Sequence, residues 1–378
     1  MELLAISAEN VTFAVNIHDF QMKRINWIDW VKAMAVCSVV FCHLPQSQEW
    51  FYYRYLQATT ITVFFFISGY LKKDHGSTSA NWKRYWSGLI VPYLLYNVLI
   101  YPYWFVRYYM QHGMPDWFAT MKPVIGAILF EHENVWAEPL NGPLWYLPAI
   151  LIMHLIIDGC RKTRHQHLIM IGLCIVSYFL YAANKEYEFL PNLTPMGLFR
   201  RLPYYYLGYV MGPWRRENQG DRSMIARYER ITRPVPLILL MAGCLVMSLV
   251  FFEWHLHEDR ILIHAVLFYP VNIGLLFALL CFCKLLDHWH CSFVTNLSIG
   301  TLVTIGLHII PIGIINFSFS TFHFSRRSVH AGYYWYEALS ITIFIIVLLY
   351  PIILFAQKYA PSLIGKDKSF NYGTTQTK

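Results

Sequence analysis

The sequence predicts an all-α, polytopic integral membrane protein of about ten transmembrane helices, with both termini in the cytoplasm. Three observations lead there. The chain is 56% hydrophobic and only 14% charged over 378 residues, whereas soluble domains carry roughly 25% charged residues. Its apolar residues are gathered into runs near the roughly 20 residues that a spanning helix needs. If the N-terminus lies inside, most of the 30 lysines and arginines fall on one side of the membrane, the cytoplasmic one. A formal charge of +8 invites a nucleic-acid reading. The basic residues, however, sit in short clusters between apolar runs. They fit topology signals and anionic lipid better, so no nucleic-acid partner is expected.

The elements follow in order. Residues 1–22 read as an N-terminal cytoplasmic segment; Glu9, Asn10, Asn16, His18 and Asp19 interrupt it, so it makes no signal peptide. One membrane domain, 23–357, follows without an internal repeat. Its candidate spans are 26–44, 55–71, 87–107, 142–158, 167–183, 198–214, 235–252, 261–283, 297–316 and 337–356. The run 117–130 is too short and carries Lys122–Pro123, so it reads as a re-entrant or interfacial piece. Residues 358–378 are polar and read as a disordered cytoplasmic tail. Cys37, Cys42, Cys174 and Cys244 lie inside apolar runs with no CxxC pair, and read as small buried residues.

The first span, "VKAMAVCSVVFCH" over 31–43, carries two ionisable residues, Lys32 and His43. Such groups are costly in a bilayer and usually have a partner or a task. Eleven residues at about 100° each bring Lys32 and His43 to one face, about 16 Å apart along the axis. Asp29 lies one turn before Lys32 and is placed to pair with it. The residues alone leave two readings open: a functional pair, or a snorkelling lysine with a packed histidine.

Six stretches in order narrow the choice. They are "RINWIDWVKAMAVCSVVFCH" (24–43), "VFFFISGYL" (63–71), "WKRYWSGLIVPYLL" (82–95), "NGPLWYLPAI" (141–150), "RRLPYYYLGYVMG" (200–212) and "SIGTLVTIGLH" (298–308). Together they resemble the acyltransferase-3 family of integral-membrane O-acyltransferases, over about 24–356. The family's first helix has a basic residue, ten residues and a histidine, as Lys32 and His43 do here. Lys32 stands where Arg is common, and Ala33 where Gly is usual. Ser87 and Gly88 lie where a second Arg is often found.

The resemblance implies transfer of an acyl group, commonly acetyl from acetyl-CoA, to a hydroxyl of a cell-surface or exported glycan or its lipid-linked precursor. It implies a multi-pass protein of the cytoplasmic membrane, with acyl-CoA as donor substrate and no bound cofactor. His43 is then the candidate general base, because neutral imidazole accepts a hydroxyl proton near pH 7. Lys32, with Asp29, is the candidate contact for the donor's phosphates, and Lys83 and Arg84 are placed to clamp the same nucleotide. Ser68 is a further donor-side candidate, and Gly69 beside it allows close backbone approach. Trp145, Arg200, Arg201 and Glu138 are the acceptor-side candidates, and Glu131 and Glu133 share the loop of Glu138. Each has a plainer alternative in packing, anchoring or solvation. His308, within the ninth span, is the rival histidine. His255, His257 and His288 read as loop residues without metal-ligand spacing, so no metal is expected. Sequence alone leaves the oligomeric state open. The alternative function is a glycan or lipid transporter or flippase, although the repeated halves common in transporters are not visible.

Overall fold

The first apolar run forms one helix, α1 (Asn26–His43), which the computed structural model places at the heart of a helical bundle. The structure describes residues 24–46, 50–73, 77–130, 140–187, 194–217, 233–322 and 332–366. Among these residues the regular elements are all helical, apart from an isolated bridge between Gln46 and Tyr333. α1 contains neither Gly nor Pro. Its start is fastened from outside: the Trp27 amide donates to Asp287 Oδ1 at 3.0 Å. Asn26 donates to the carbonyls of Asp287 and Trp289 at 2.7 and 2.9 Å. Asp287 thus meets a first-turn N–H that has no partner within the helix.

The second run departs from the single span expected over 55–71. It is two nine-residue helices, α2 (Phe51–Thr59) and α3 (Thr62–Tyr70). The break follows from threonines. The Thr59 and Thr60 hydroxyls donate back to the carbonyls of Tyr55 and Leu56 at 3.0 and 2.6 Å, a competition that bends helices. Next come α4 (Thr78–Tyr85), a π turn over Trp86–Ile90, and α5 (Val91–His112). The short run over 117–130 folds as α6 (Trp117–Ile128), capped by Asp116, which accepts the Ala119 amide at 2.7 Å. At 12 residues it is too short to cross a bilayer. Tyr93 of α5 ties it down through the Ala127 carbonyl at 2.6 Å.

A 3-10 turn, Gly142–Trp145, opens α7 (Tyr146–Cys160), and α8 (Gln166–Tyr187) and α9 (Thr194–Glu217) follow. α3 and α9 meet backbone to backbone along Gly69, Gly208 and Gly212. Small residues permit that approach, and in lipid it supplies the packing that holds helices together. α10 (Pro234–His257) and α11 (Ile261–Leu285) form a long apolar hairpin. The ninth expected span, 297–316, is three pieces: α12 (Ser292–Ile299), α13 (Thr301–Leu307) and α14 (Ile309–Phe322). Gly300 and His308 stand at the joints.

The last helix, α15 (Trp335–Tyr359), ends in a turn over Pro361–Ile364. That turn packs back on α5, where the Tyr96 hydroxyl donates to the Leu363 carbonyl at 2.7 Å. Ordered packing therefore runs past residue 357, the end of the domain read from the sequence. α1 touches α3, α11, α12, α13 and α15. Among the described residues, seven helical stretches are long and apolar enough to cross a membrane. α1 and α9 are not among the seven; neighbouring helices, rather than lipid, cover much of their surface. The molecule is an all-α, polytopic membrane fold.

Candidate active site

The two ends of α1 define two polar centres. At its start, Asp29 is buried in the core and accepts three bonds. Arg24 donates through Nε at 2.5 Å and Nη2 at 2.9 Å, and Ser298 of α12 through its hydroxyl at 2.6 Å. The expected Asp29–Lys32 pair is thus replaced by an Asp29–Arg24 pair. The chain just before α1 folds the guanidinium onto the carboxylate, where two parallel bonds outdo one ammonium contact. Lys32 lies within electrostatic reach of Asp29, Arg24 and Lys366. Lys366 has its pKa pulled below the usual lysine range, by burial first and then by Arg24. The centre therefore joins the Asp29–Arg24 pair to Lys32 and Lys366.

At the other end, His43 closes α1 and opens onto a cavity of about 540 Å³. Its Nδ1 lies 2.7 Å from the Val39 carbonyl one turn back. A carbonyl only accepts, so Nδ1 carries the proton and Nε2 keeps a lone pair. His308 is fully buried beside it, with ring centroids 4.9 Å apart and planes at 78°. The His308 Nδ1 donates to the carbonyls of Thr304 and Ile305 at 2.9 and 3.1 Å. His308 thus packs against His43 without lining the cavity itself. Asn141 ties α13 to the turn before α7, donating to the Gly306 carbonyl at 2.7 Å.

The turn before α7 brings Trp145 into the same cavity. Arg201 of α9 lines it too, with its guanidinium 5.1 Å from the Trp145 ring centroid. Arg200 does not. It turns the other way, donates to the Tyr181 hydroxyl at 3.1 Å and lies over the Phe268 ring. Consecutive helical residues diverge by about 100°, so one of this pair had to leave the site. Ser68 is also absent from the lining; its hydroxyl bonds Tyr146 OH at 2.7 Å, linking α3 to α7. Lys83 and Arg84 are exposed on the last turn of α4. Glu131, Glu133 and Glu138 lie outside the described residues.

Three further groups went unread in the sequence. Arg107 of α5 lines the His43 cavity; its only sequence signal was positive charge on the side where such charge is sparse. Arg24 and Lys366 join the Lys32 centre, and neither lies within a periodic pattern that would mark it. Lys72, counted only as a loop charge, belongs to a buried network. It donates to Tyr85 OH and pairs with Asp158 at 2.8 Å, and Tyr85 donates to Asp158 at 2.5 Å. His255 and His257, expected in loops, lie in the last turn of α10, and His288 in a 3-10 turn. His255 and His264 stack and exchange Nδ1-to-carbonyl bonds at 2.9 and 3.0 Å. Among the described residues, no group of three or more His, Cys, Asp or Glu side chains is arranged to hold a metal.

A family model described as an acyltransferase domain matches residues 25–356. The chain belongs to the acyltransferase-3 family. No curated protein and no solved structure matches it. The matched span of this acyltransferase-3 domain begins at the first residue before α1 and ends within α15, so it includes both polar centres except Arg24 and Lys366. As an acyltransferase-3 protein the molecule is a multi-pass membrane acyltransferase. That membership favours the enzyme over the transporter alternative.

Proposed function

We propose that the protein is an O-acyltransferase, using acetyl-CoA or another acyl-CoA to acylate a hydroxyl of a cell-surface or exported glycan or its lipid-linked precursor. The observation that carries this reading is the state of His43. Its Nδ1 proton is held by the Val39 carbonyl, while the ring opens on the cavity. The Nε2 lone pair takes the proton of the acceptor hydroxyl as its oxygen attacks the thioester carbon. The carbon–sulfur bond then breaks, and the imidazolium returns the proton to the departing thiolate.

The donor's phosphates belong at the other end of α1. Lys32, Arg24 and Lys366 offer charge there, and Asp29 orients the Arg24 guanidinium. Lys83 and Arg84 supply further charge along the same face of the membrane. The two ends of α1 are about 16 Å apart from Lys32 to His43, a distance that the donor's pantetheine arm bridges. A cavity of about 540 Å³ is of ordinary size for a small-molecule site, and Trp145 offers a flat face for a sugar ring.

The test is transfer of labelled acetyl from acetyl-CoA into the glycan and lipid fractions of membranes, with wild type beside His43→Ala. Label with wild type alone is expected. Equal label with both folded proteins would remove His43 as the base. No label from either, with other acyl-CoAs also tried, would remove the O-acyltransferase reading.

A further inference from the structure

One arginine and one groove take no part in the His43 site. Arg200 turns away from that cavity, and its contacts are neutral. Its Nη1 donates to the Tyr181 hydroxyl at 3.1 Å, and its guanidinium carbon lies 3.2 Å from the Phe268 ring centroid. Tyr204 and Tyr269 are its other electrostatic neighbours, so among the described residues no carboxylate meets it. Its Nε is buried without a hydrogen-bond partner, and so is the hydroxyl of the neighbouring Tyr269. Two unmet donors, one of them charged, are costly within a membrane bundle and mark a ligand site.

Tyr269 joins this pair to a second cavity, an apolar groove of about 680 Å³. Ile171, Ile175 and Tyr178 of α8, Pro203 and Leu207 of α9, and Tyr269 of α11 line it. Tyr181 lies one turn beyond Tyr178, and Arg200 one turn before Pro203. Both walls therefore bring the guanidinium to the same end of the groove. His167 marks the other end, where its Nδ1 meets the Tyr206 hydroxyl at 2.8 Å. Ile171 and Ile175 are exposed, and α8 and α11 are both long and apolar enough to cross a membrane. The groove thus opens sideways, towards lipid chains. From Arg200 to Val210 α9 rises about 15 Å, and from Tyr181 to His167 α8 rises about 21 Å. One leaflet holds about 15 Å of hydrocarbon, so the groove takes a chain at least that deep.

We infer that the groove binds a polyprenyl lipid through its phosphate, with the chain along α8 and α9 and the phosphate accepting from Arg200 and Tyr269. The apolar lining takes the chain, and the guanidinium takes the charge. A phospholipid would bring a glycerol and two tails to a single groove, whereas a polyprenyl phosphate brings one long chain. The two donors are closed from solvent, so the Tyr269 ring, which lines the groove, turns to admit the phosphate. Resting on the O-acyltransferase reading, this lipid is the carrier of the acceptor. Arg201, the next residue, lines the His43 cavity. A sugar on the bound phosphate therefore starts about one helix width, roughly 10–12 Å, from that cavity.

Equilibrium binding of a labelled long-chain polyprenyl phosphate to the purified full-length protein in detergent tests this, without any acyl donor. Unphosphorylated polyprenol and phosphatidylglycerol serve as competitors. Wild type is expected to bind the polyprenyl phosphate at least about tenfold more tightly than either, the effect of a charge-assisted hydrogen bond. Arg200→Gln should weaken its binding about tenfold to a hundredfold and leave polyprenol unchanged. Leu207→Trp, which fills the groove, should weaken both. Monodisperse elution establishes that each variant folds. If Arg200→Gln does not, Tyr269→Phe takes its place, with an expected loss of about threefold to tenfold for the phosphate alone. Equal wild-type affinity for polyprenyl phosphate and polyprenol overturns the phosphate site, as does a variant loss that is the same for both. Phosphatidylglycerol binding as tightly as the polyprenyl phosphate overturns the choice of lipid. Each of these failures leaves the acyltransferase reading intact, because no transfer is measured. Failure of labelled-acetyl transfer overturns that reading and the carrier role, and leaves the lipid site standing.

Discussion

Replacing Gly208 by alanine should loosen the whole bundle, and the size of the effect follows from the α3–α9 seam. A methyl group at Gly208 would lie 2.9 Å from the Phe66 carbonyl carbon and 3.0 Å from the Tyr70 nitrogen, and closer still to the Phe66 oxygen. Comfortable carbon contacts are about 3.5–4.0 Å. The helices must therefore part by more than about 1 Å, a distance set by the Phe66 oxygen. The obstructing atoms are backbone, so no side chain can swing aside. Overpacking costs about 1–3 kcal/mol, and a rigid obstruction belongs in the upper part of that range. Parting the helices also weakens the close contacts at Gly69 and Gly212. A loss of about 2–3 kcal/mol lowers the folded-to-unfolded ratio about 30- to 150-fold. Sodium dodecyl sulfate titration in mixed micelles measures it. Gly243→Ala in α10 is the control, since nothing lies within 4 Å of a methyl group there. If Gly208→Ala unfolds together with wild type, or the control loses as much, the seam does not hold the fold.

Two more outcomes are expected. Asp158→Ala leaves the Lys72 ammonium, its side chain 5% exposed, without its carboxylate and should cost about 3 kcal/mol. Adding Lys72→Met should recover most of that in the same titration, and a double variant no better than the single one would show the pair is not coupled. His308→Ala removes the ring packed against His43 and should lower kcat about tenfold to a hundredfold through misplacement of the base. A loss confined to KM for either substrate would rule out that positioning role.

The all-α membrane fold was legible because apolar runs and charge bias are averages over many residues. The two poles of α1 were legible because helical spacing fixes which residues share a face. What escaped depends on single side chains or on distant pairing. Hydropathy could not show that Thr59 and Thr60 break the second run, since both sit comfortably in an apolar window. Spacing offered Lys32 to Asp29, but Arg24 lies outside the helix and is free of its geometry. Arg200 and Arg201 read as one motif until the helix turned them to opposite surroundings. His308 was visible only as a buried histidine needing a reason. Its reason, His43, lies far away in the sequence.

The central place of α1 sets a timetable for making the protein. α1 is the earliest described helix to leave the ribosome, yet Ser298, which binds its Asp29, and α15, which covers its flank, are made last. Until they arrive, the carboxylate and the lysine of α1 must wait with Arg24 at the membrane surface or in the insertion machinery. Chains cut short before α12 have Asp287 and Trp289 to fasten the start of α1 but lack the Ser298 bond to Asp29 and the cover of α15. Acylating capacity should emerge all at once, at the end of synthesis, rather than accumulate helix by helix.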